Sequence, residues 1–170
     1  MIHQFYITEF EKNLNLFRVL FDTRDQDYIH WKRDENAWSL LEILCHLRDE
    51  EIEDFRHRLQ FVLEGKAGLP PKIHPQEWVT ERSYSTQNFA LVKTTYFEER
   101  RKSLNWLASL NKPQLDQFYN HPSLGKLNGH HFLNNWLAHD YLHIRQITRL
   151  RYDYLAHVSG IDLGYAGTWK

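Results

Sequence analysis

The sequence predicts an all-α fold, a four-helix bundle with long connections between its helices, formed as a single domain over residues 1–170. Three observations predict it. Four segments repeat apolar residues at intervals of three and four, the spacing that gathers them on one face of a helix. Capping residues and chain breakers bound those segments. No segment alternates apolar and polar residues for long enough to build a sheet.

The first helix is expected from Thr8 to Phe21. Thr8 and Glu11 have capping-box spacing, and Phe10, Leu14, Phe17 and Phe21 form the buried stripe. A polar connector from Asp22 to Trp38 carries Tyr28, Ile29 and Trp31. Ser39 and Glu42 repeat the capping-box spacing and open a second helix that reaches about Glu64, with Gly65 as its terminator. Leu40, Leu44, Leu47, Phe55, Leu59 and Val62 share one face of it. Pro70, Pro71 and Pro75 then forbid continued helix, which leaves a long connection of about 20 residues. The third helix starts near Ser85 or Thr86, carries Phe89, Val92, Tyr96, Ser103, Leu107 and Leu110, and stops at Asn111 to Pro113. A turn-rich link around His121, Pro122 and Gly125 leads to the fourth helix, from near Asn128 to about Ala156. Tyr165 and Trp169 in the tail are expected to pack onto the body.

Composition narrows the function classes. Lys plus Arg is 21 and Asp plus Glu is 22, a net charge of -1. That balance offers no basic field for nucleic acid. Cys45 is the only cysteine, so there is no intrachain disulfide framework. No stretch approaches the roughly 20 apolar residues of a bilayer span, and the N-terminus has no leader pattern. The expectation is a soluble cytoplasmic protein with neither nucleic acid nor membrane as partner.

The stretch that carries chemistry is His139 and His143. Four residues apart on a helix, their Cβ atoms lie roughly 5–6 Å apart, so both rings can reach one ion. Phe132, Trp136, His143, Ile147, Leu150 and Tyr154 keep the same helical spacing, which turns the pair toward the rim of the bundle. The blander reading is two ordinary histidines in a chain that has 11. Catalytic zinc sites use three protein ligands and leave a position open. His46 is the candidate third ligand, although periodicity puts it at the polar edge of its helix with Glu50 and Glu53. Asp49 and Glu50 share its face and are candidates to orient a ligand or act as a base. Gln146, one turn beyond His143, is placed to hydrogen-bond a ligand ring. Cys45 points about 100° away from His46 and reads as a small buried side chain. Glu42 belongs to the capping box. A diiron alternative pairs Asp54 and His57 with Asp140 and His143, adding Glu98 or Glu99, but Asp is a carbon shorter than the usual Glu.

Trp38, Ser39, Glu42, His46, Leu47 and Asp49 together resemble the second-helix motif of the DinB/YfiT-like family. The block from His121 to Gly125, followed by Ala138, His139, Asp140, His143, Gln146 and Ile147, resembles its fourth-helix motif. Tyr84 and the tail around Tyr165 and Trp169 extend the resemblance over essentially the whole chain. It implies a four-helix bundle, often dimeric, in which three histidines bind one divalent metal ion. Carried onto this sequence, those ligands are His46, His139 and His143. Three histidines suit zinc, nickel, iron or manganese. Some members of the family are S-transferases using bacillithiol, mycothiol or glutathione, and others are thiol-dependent isomerases. The resemblance therefore implies a metal-dependent, thiol-dependent transferase acting on a small-molecule substrate, with a low-molecular-weight thiol as cofactor and a homodimer as the assembly. The alternatives are a metal-dependent hydrolase and a non-enzymatic, stress-related metal-binding bundle. For free imidazoles, protons should compete with the metal below a pH of about 6.5.

Overall fold

The structure, a computed structural model, describes residues 2–169. In chain order it runs α1 (Ile2–Leu20), α2 (Gln26–His30), α3 (Leu40–Glu50), a π-helical turn (Glu51–Phe55), α4 (Arg56–Leu63), α5 (Pro75–Glu81), α6 (Phe89–Ser109), β1 (Phe118–His121), β2 (Gly125–Asn128) and α7 (Gly129–Ser159). The four long segments of the bundle are α1, α3 with α4, α6 and α7. Helix α1 packs on α6 and α7, and α3 packs on the same two helices.

The second segment shows why the bundle forms where it does. Ser39 Oγ accepts from the Glu42 amide at 3.3 Å, and Glu42 Oε2 accepts from the Ser39 amide at 2.8 Å. These reciprocal bonds satisfy donors that a helix start leaves orphaned. At the other end Gly65 takes φ 61, and Gly65 and Lys66 donate to Val62 and Phe61 carbonyls. This is a Schellman ending, and the left-handed conformation explains glycine there. Ser39 is buried, so removing its hydroxyl leaves an amide without water to replace it. Ser39→Ala should cost about 1 kcal/mol. Urea unfolding at pH 7 measures this, and an unchanged midpoint would show that the cap contributes nothing.

Between α3 and α4 the helix does not break; it widens for one turn. At about 100° per residue, Leu59 would lie about 100° around the helix from Leu40. The π turn rewinds that drift, and Leu40, Leu44, Leu47, Phe55, Leu59 and Val62 are all buried.

Two apolar clusters fill the bundle. They leave a gap at the same level of each long segment: after Leu14 on α1, from Leu47 to Phe55, from Tyr96 to Leu104, and from Leu137 to Ile147. Into those gaps fall Glu51, Arg100, Asp140 and His143, all buried. A polar layer thus divides the core.

Several boundaries differ from the sequence reading. Helix α1 already runs from Ile2, because buried Tyr6 and Ile7 extend its apolar face past Thr8. The connector after α1 contains α2, whose N-cap Asp25 accepts from the Tyr28 amide at 3.1 Å. The long connection after α4 contains a short helix, α5, opened by Pro75, whose missing N–H is no loss at that position. Ser85 and Thr86 form a 3-10 turn, and Asn88 caps α6 instead, accepting from the Leu91 amide. The link before α7 is a two-stranded hairpin pairing Phe118 with Asn128 and His121 with Gly125. Its four-residue strands are too short for periodicity to register. In the tail, Trp169 packs its ring 5.6 Å from Tyr152, whereas Tyr165 is fully exposed. Among the described residues, no helix is long and apolar enough to cross a membrane.

Candidate metal centre

Helix α3 carries His46 and helix α7 carries His139 and His143 to one point. His139 Nε2 lies 3.3 Å from His46 Nε2 and 3.0 Å from His143 Nε2. The three ligand atoms all fall within 4.8 Å of one another. Two nitrogens bound to one zinc at about 2.0–2.1 Å and tetrahedral angles stand about 3.3 Å apart, so the spacing suits an ion between the rings.

His46 is buried, contrary to its place at the polar edge of the helical wheel. Trp38, from the loop ahead of α3, lays its ring 4.8 Å from the imidazole, and α7 covers the other side. Phe55, from the π turn, sits 5.0 Å from His139. Gln146 Oε1 lies 2.8 Å from His143 Nδ1. With the amide oxygen as acceptor, the proton stays on Nδ1 and the Nε2 lone pair is left for a metal.

Electrostatics favour neutral rings. Burial pushes His46 down to about 3, with the neighbouring His143 adding to the effect. Burial pushes His139 down to about 2, helped by His143, His46 and then Arg100. His143 is also lowered by burial, against the opposing pull of Gln146 and Asp140. With all three rings lowered, proton competition in the folded chain begins below the pH of about 6.5 expected from free imidazole.

The two carboxylate candidates part company. Glu50 lines the cleft beside the histidines, and burial pushes it up to about 9, with Asp54 as a second cause. It holds a proton at neutral pH. Asp49 is turned away and fully engaged, accepting from Tyr84 Oη at 2.7 Å, Arg82 Nη1 at 2.8 Å and Arg48 Nε at 2.6 Å. It anchors the strap that contains α5. Cys45 is buried and its thiol is pushed up to about 12, chiefly by that burial, so it is not a nucleophile at neutral pH.

Beneath the histidines lies the polar layer. Arg100 donates to both oxygens of Asp140, each at 2.7 Å, and its Nε stands 2.9 Å from Glu51 Oε2. Asn13 donates to Asp140 at 3.1 Å and Trp136 Nε1 to Glu51 at 3.2 Å. These bonds remove the diiron arrangement. Asp140 is taken by Arg100, Asp54 by Arg58 and Glu99 by Arg56, while His57 stays outside the cluster. Sequence reasoning missed Glu51 and Arg100, although a signal was present. Each fills a gap in an apolar stripe, between Leu47 and Phe55 and between Tyr96 and Ser103.

The histidines open onto a cleft of about 660 Å³ walled by Trp38, Pro75, Gln76 and Leu142, with Glu50, Gln146, Arg149, Arg33 and Asp153 among its polar groups.

The sequence profile described as the DinB superfamily matches residues 9–147, a span that includes all three histidines and Gln146. Among solved structures, YfiT from Bacillus subtilis is similar, with a TM-score of 0.76 at 15% identity over 94% of this chain and 89% of that one. That protein is described as a probable metal-dependent hydrolase with an unusual four-helix bundle topology. No curated protein matches the sequence.

Proposed function

Since this chain belongs to the DinB superfamily, we propose that His46, His139 and His143 hold one divalent metal ion and that the protein is a metal-dependent enzyme transferring a low-molecular-weight thiol to a small-molecule electrophile. One observation carries the reading: three imidazoles converge through Nε2 at the wall of an open cleft. A closed shell of ligands would suit a structural ion; three donors and an adjoining cleft leave a position for chemistry. A divalent ion held there supplies Lewis acidity toward a thiol.

The chain's own residues take the remaining roles. Gln146 fixes the His143 ring and its tautomer. Trp38 and Phe55 keep water from the flanks of His46 and His139. Protonated Glu50, in the same cleft, is the proton donor for a leaving group. Asp49 acts at one remove, by holding Arg82 and Tyr84 and so the strap whose Pro75 and Gln76 form the facing wall.

The description of YfiT favours a second reading, hydrolysis at the same site, since an open metal position serves water as well as a thiol. Elemental analysis of untagged protein tests the shared part. One equivalent of metal is expected in the wild type and a sharp loss in His143→Ala; unchanged stoichiometry and affinity in all three single alanine variants would sink both readings. Thiol-conjugation and ester-hydrolysis screens on the same loaded protein then separate transferase from hydrolase.

A further inference from the structure

Beside the metal cleft lies a second recess of about 450 Å³, and the two share Arg33, Leu142, Gln146 and Arg149. The recess adds Arg145 and Trp169 and, among the described residues, has no acidic side chain in its lining. Among the described residues, its three guanidinium groups share two carboxylates. Arg149 Nε and Arg33 Nη1 lean on one carboxylate, Asp153, at 2.8 and 3.7 Å, and Arg33 also reaches Asp34 at 3.0 Å. Arg145 is exposed and forms no ion pair among the described residues. Trp169 braces Arg149: its ring lies 5.5 Å from the guanidinium carbon and its carbonyl accepts from Nη1 at 3.4 Å. A guanidinium fixed in this way presents a planar fork to a carboxylate or phosphate with little entropy left to lose.

Position along α7 relates this shelf to the histidines. Gln146 touches His143 and lines both recesses. Arg149 follows His143 by six residues, a separation of about 9 Å along the helix axis. We propose that the shelf binds the anionic group of the substrate, which is then an elongated small molecule with a carboxylate or phosphate at the end remote from the histidines. The length and direction of that substrate rest on the metal-centre reading above; the anion site itself does not.

Calorimetric titration of the protein as purified, at low salt, tests the site with two probes, glutarate and inorganic phosphate. Wild type should bind at least one, and Arg145→Gln with Arg149→Gln should weaken it by about tenfold or more. Arg149→Lys should recover only part of that loss, because it restores charge without the fork. Preference for glutarate assigns a carboxylate, and preference for phosphate a phosphate ester. Binding of neither probe, or binding unchanged in the double variant, overturns the shelf whether or not metal binds. The relation to the histidines is read on the cobalt-loaded protein by thiolate-to-metal absorption. Mercaptoalkanoic acids should outbind mercaptoalcohols of equal length, with a chain-length optimum that vanishes in the double variant. No thiolate absorption with either series would reject the thiol reading while leaving the calorimetric result intact. Equal affinity for acids and alcohols at every length would overturn the proposed substrate geometry.

Discussion

Arg100→Ala should destabilise the metal-free protein by about 3–5 kcal/mol at pH 7, a large part of the roughly 5–15 kcal/mol that holds a typical domain together. Arg100 is 2% exposed, Glu51 1% and Asp140 0%, so truncation strands two carboxylates with no water to solvate them. Asn13 and Trp136 still donate to the pair, one bond each, which does not replace a fork that engages both oxygens of Asp140. The guanidinium also lies 5.4 Å from the Phe10 ring and 5.7 Å from Trp136, so the mutation removes packing as well as charge. Arg100→Lys should recover a minority of the loss, since an ammonium cannot span both carboxylates. Urea unfolding measures the difference. Its size should shrink as pH falls, because a protonated carboxyl needs no ionic partner. A deficit below about 1 kcal/mol at pH 7 would mean that water or rearrangement reaches the layer and that its burial is not as described.

Acid should weaken the metal-free protein through the same region. His46 and His139 are held below the free imidazole value, so the unfolded chain takes up protons there that the folded chain refuses. Their contribution is complete above a pH of about 6.5 and is lost as pH falls toward about 3, at about 1.4 kcal/mol per pH unit for each ring. His143 adds loss of the same sign. Glu50 opposes it. Its folded pKa is raised to about 9, so between that value and its free value the folded chain holds the extra proton and gains stability as pH falls. With two histidines against one glutamate, the net uptake grows from about none at pH 6.5 to about one proton at pH 5, or about 1.4 kcal/mol lost over that range before the His143 share is added. Glu50→Gln removes the opposition and should steepen the acid limb by about 1.4 kcal/mol per pH unit in that range. Chemical unfolding of metal-free protein from pH 8 to pH 4.5 reads both slopes. A flat profile in wild type would mean that the rings are solvated, and that their neutrality in the folded state has to be explained otherwise.

Much of this molecule is legible in its sequence where the controlling interaction is local. The Ser39–Glu42 cap, the Gly65 terminator and the apolar stripes are all settled within a few residues of themselves. The His139–His143 pair belongs here too, since helix geometry alone brings the rings together. What periodicity misreads depends on distant partners. His46 looks like a surface residue on its own helix because the Trp38 ring and α7, which bury it, do not enter the wheel. Glu51 and Arg100 look like polar interruptions of two separate stripes, and only the packed bundle shows that each interruption answers the other. The prolines do keep the second helix from continuing, but Pro75 also begins the short helix α5 within the long connection, because a residue that ends a helix in its interior is well suited to its first turn.

The widened turn at Glu51–Phe55 also determines how a related sequence would line up with this helix. A π turn is what an α-helix becomes when it absorbs a single extra residue without disturbing either flank. On that account, a relative with one residue fewer between the positions of Glu50 and Arg56 would keep both flanking helices and lack only the widening. In such a chain the segment carrying His46 and the segment carrying Leu59 would be joined by uninterrupted α-helix. A gap placed at that point should therefore bring both the histidine and the apolar stripe into register, whereas a gapless alignment can satisfy only one of them.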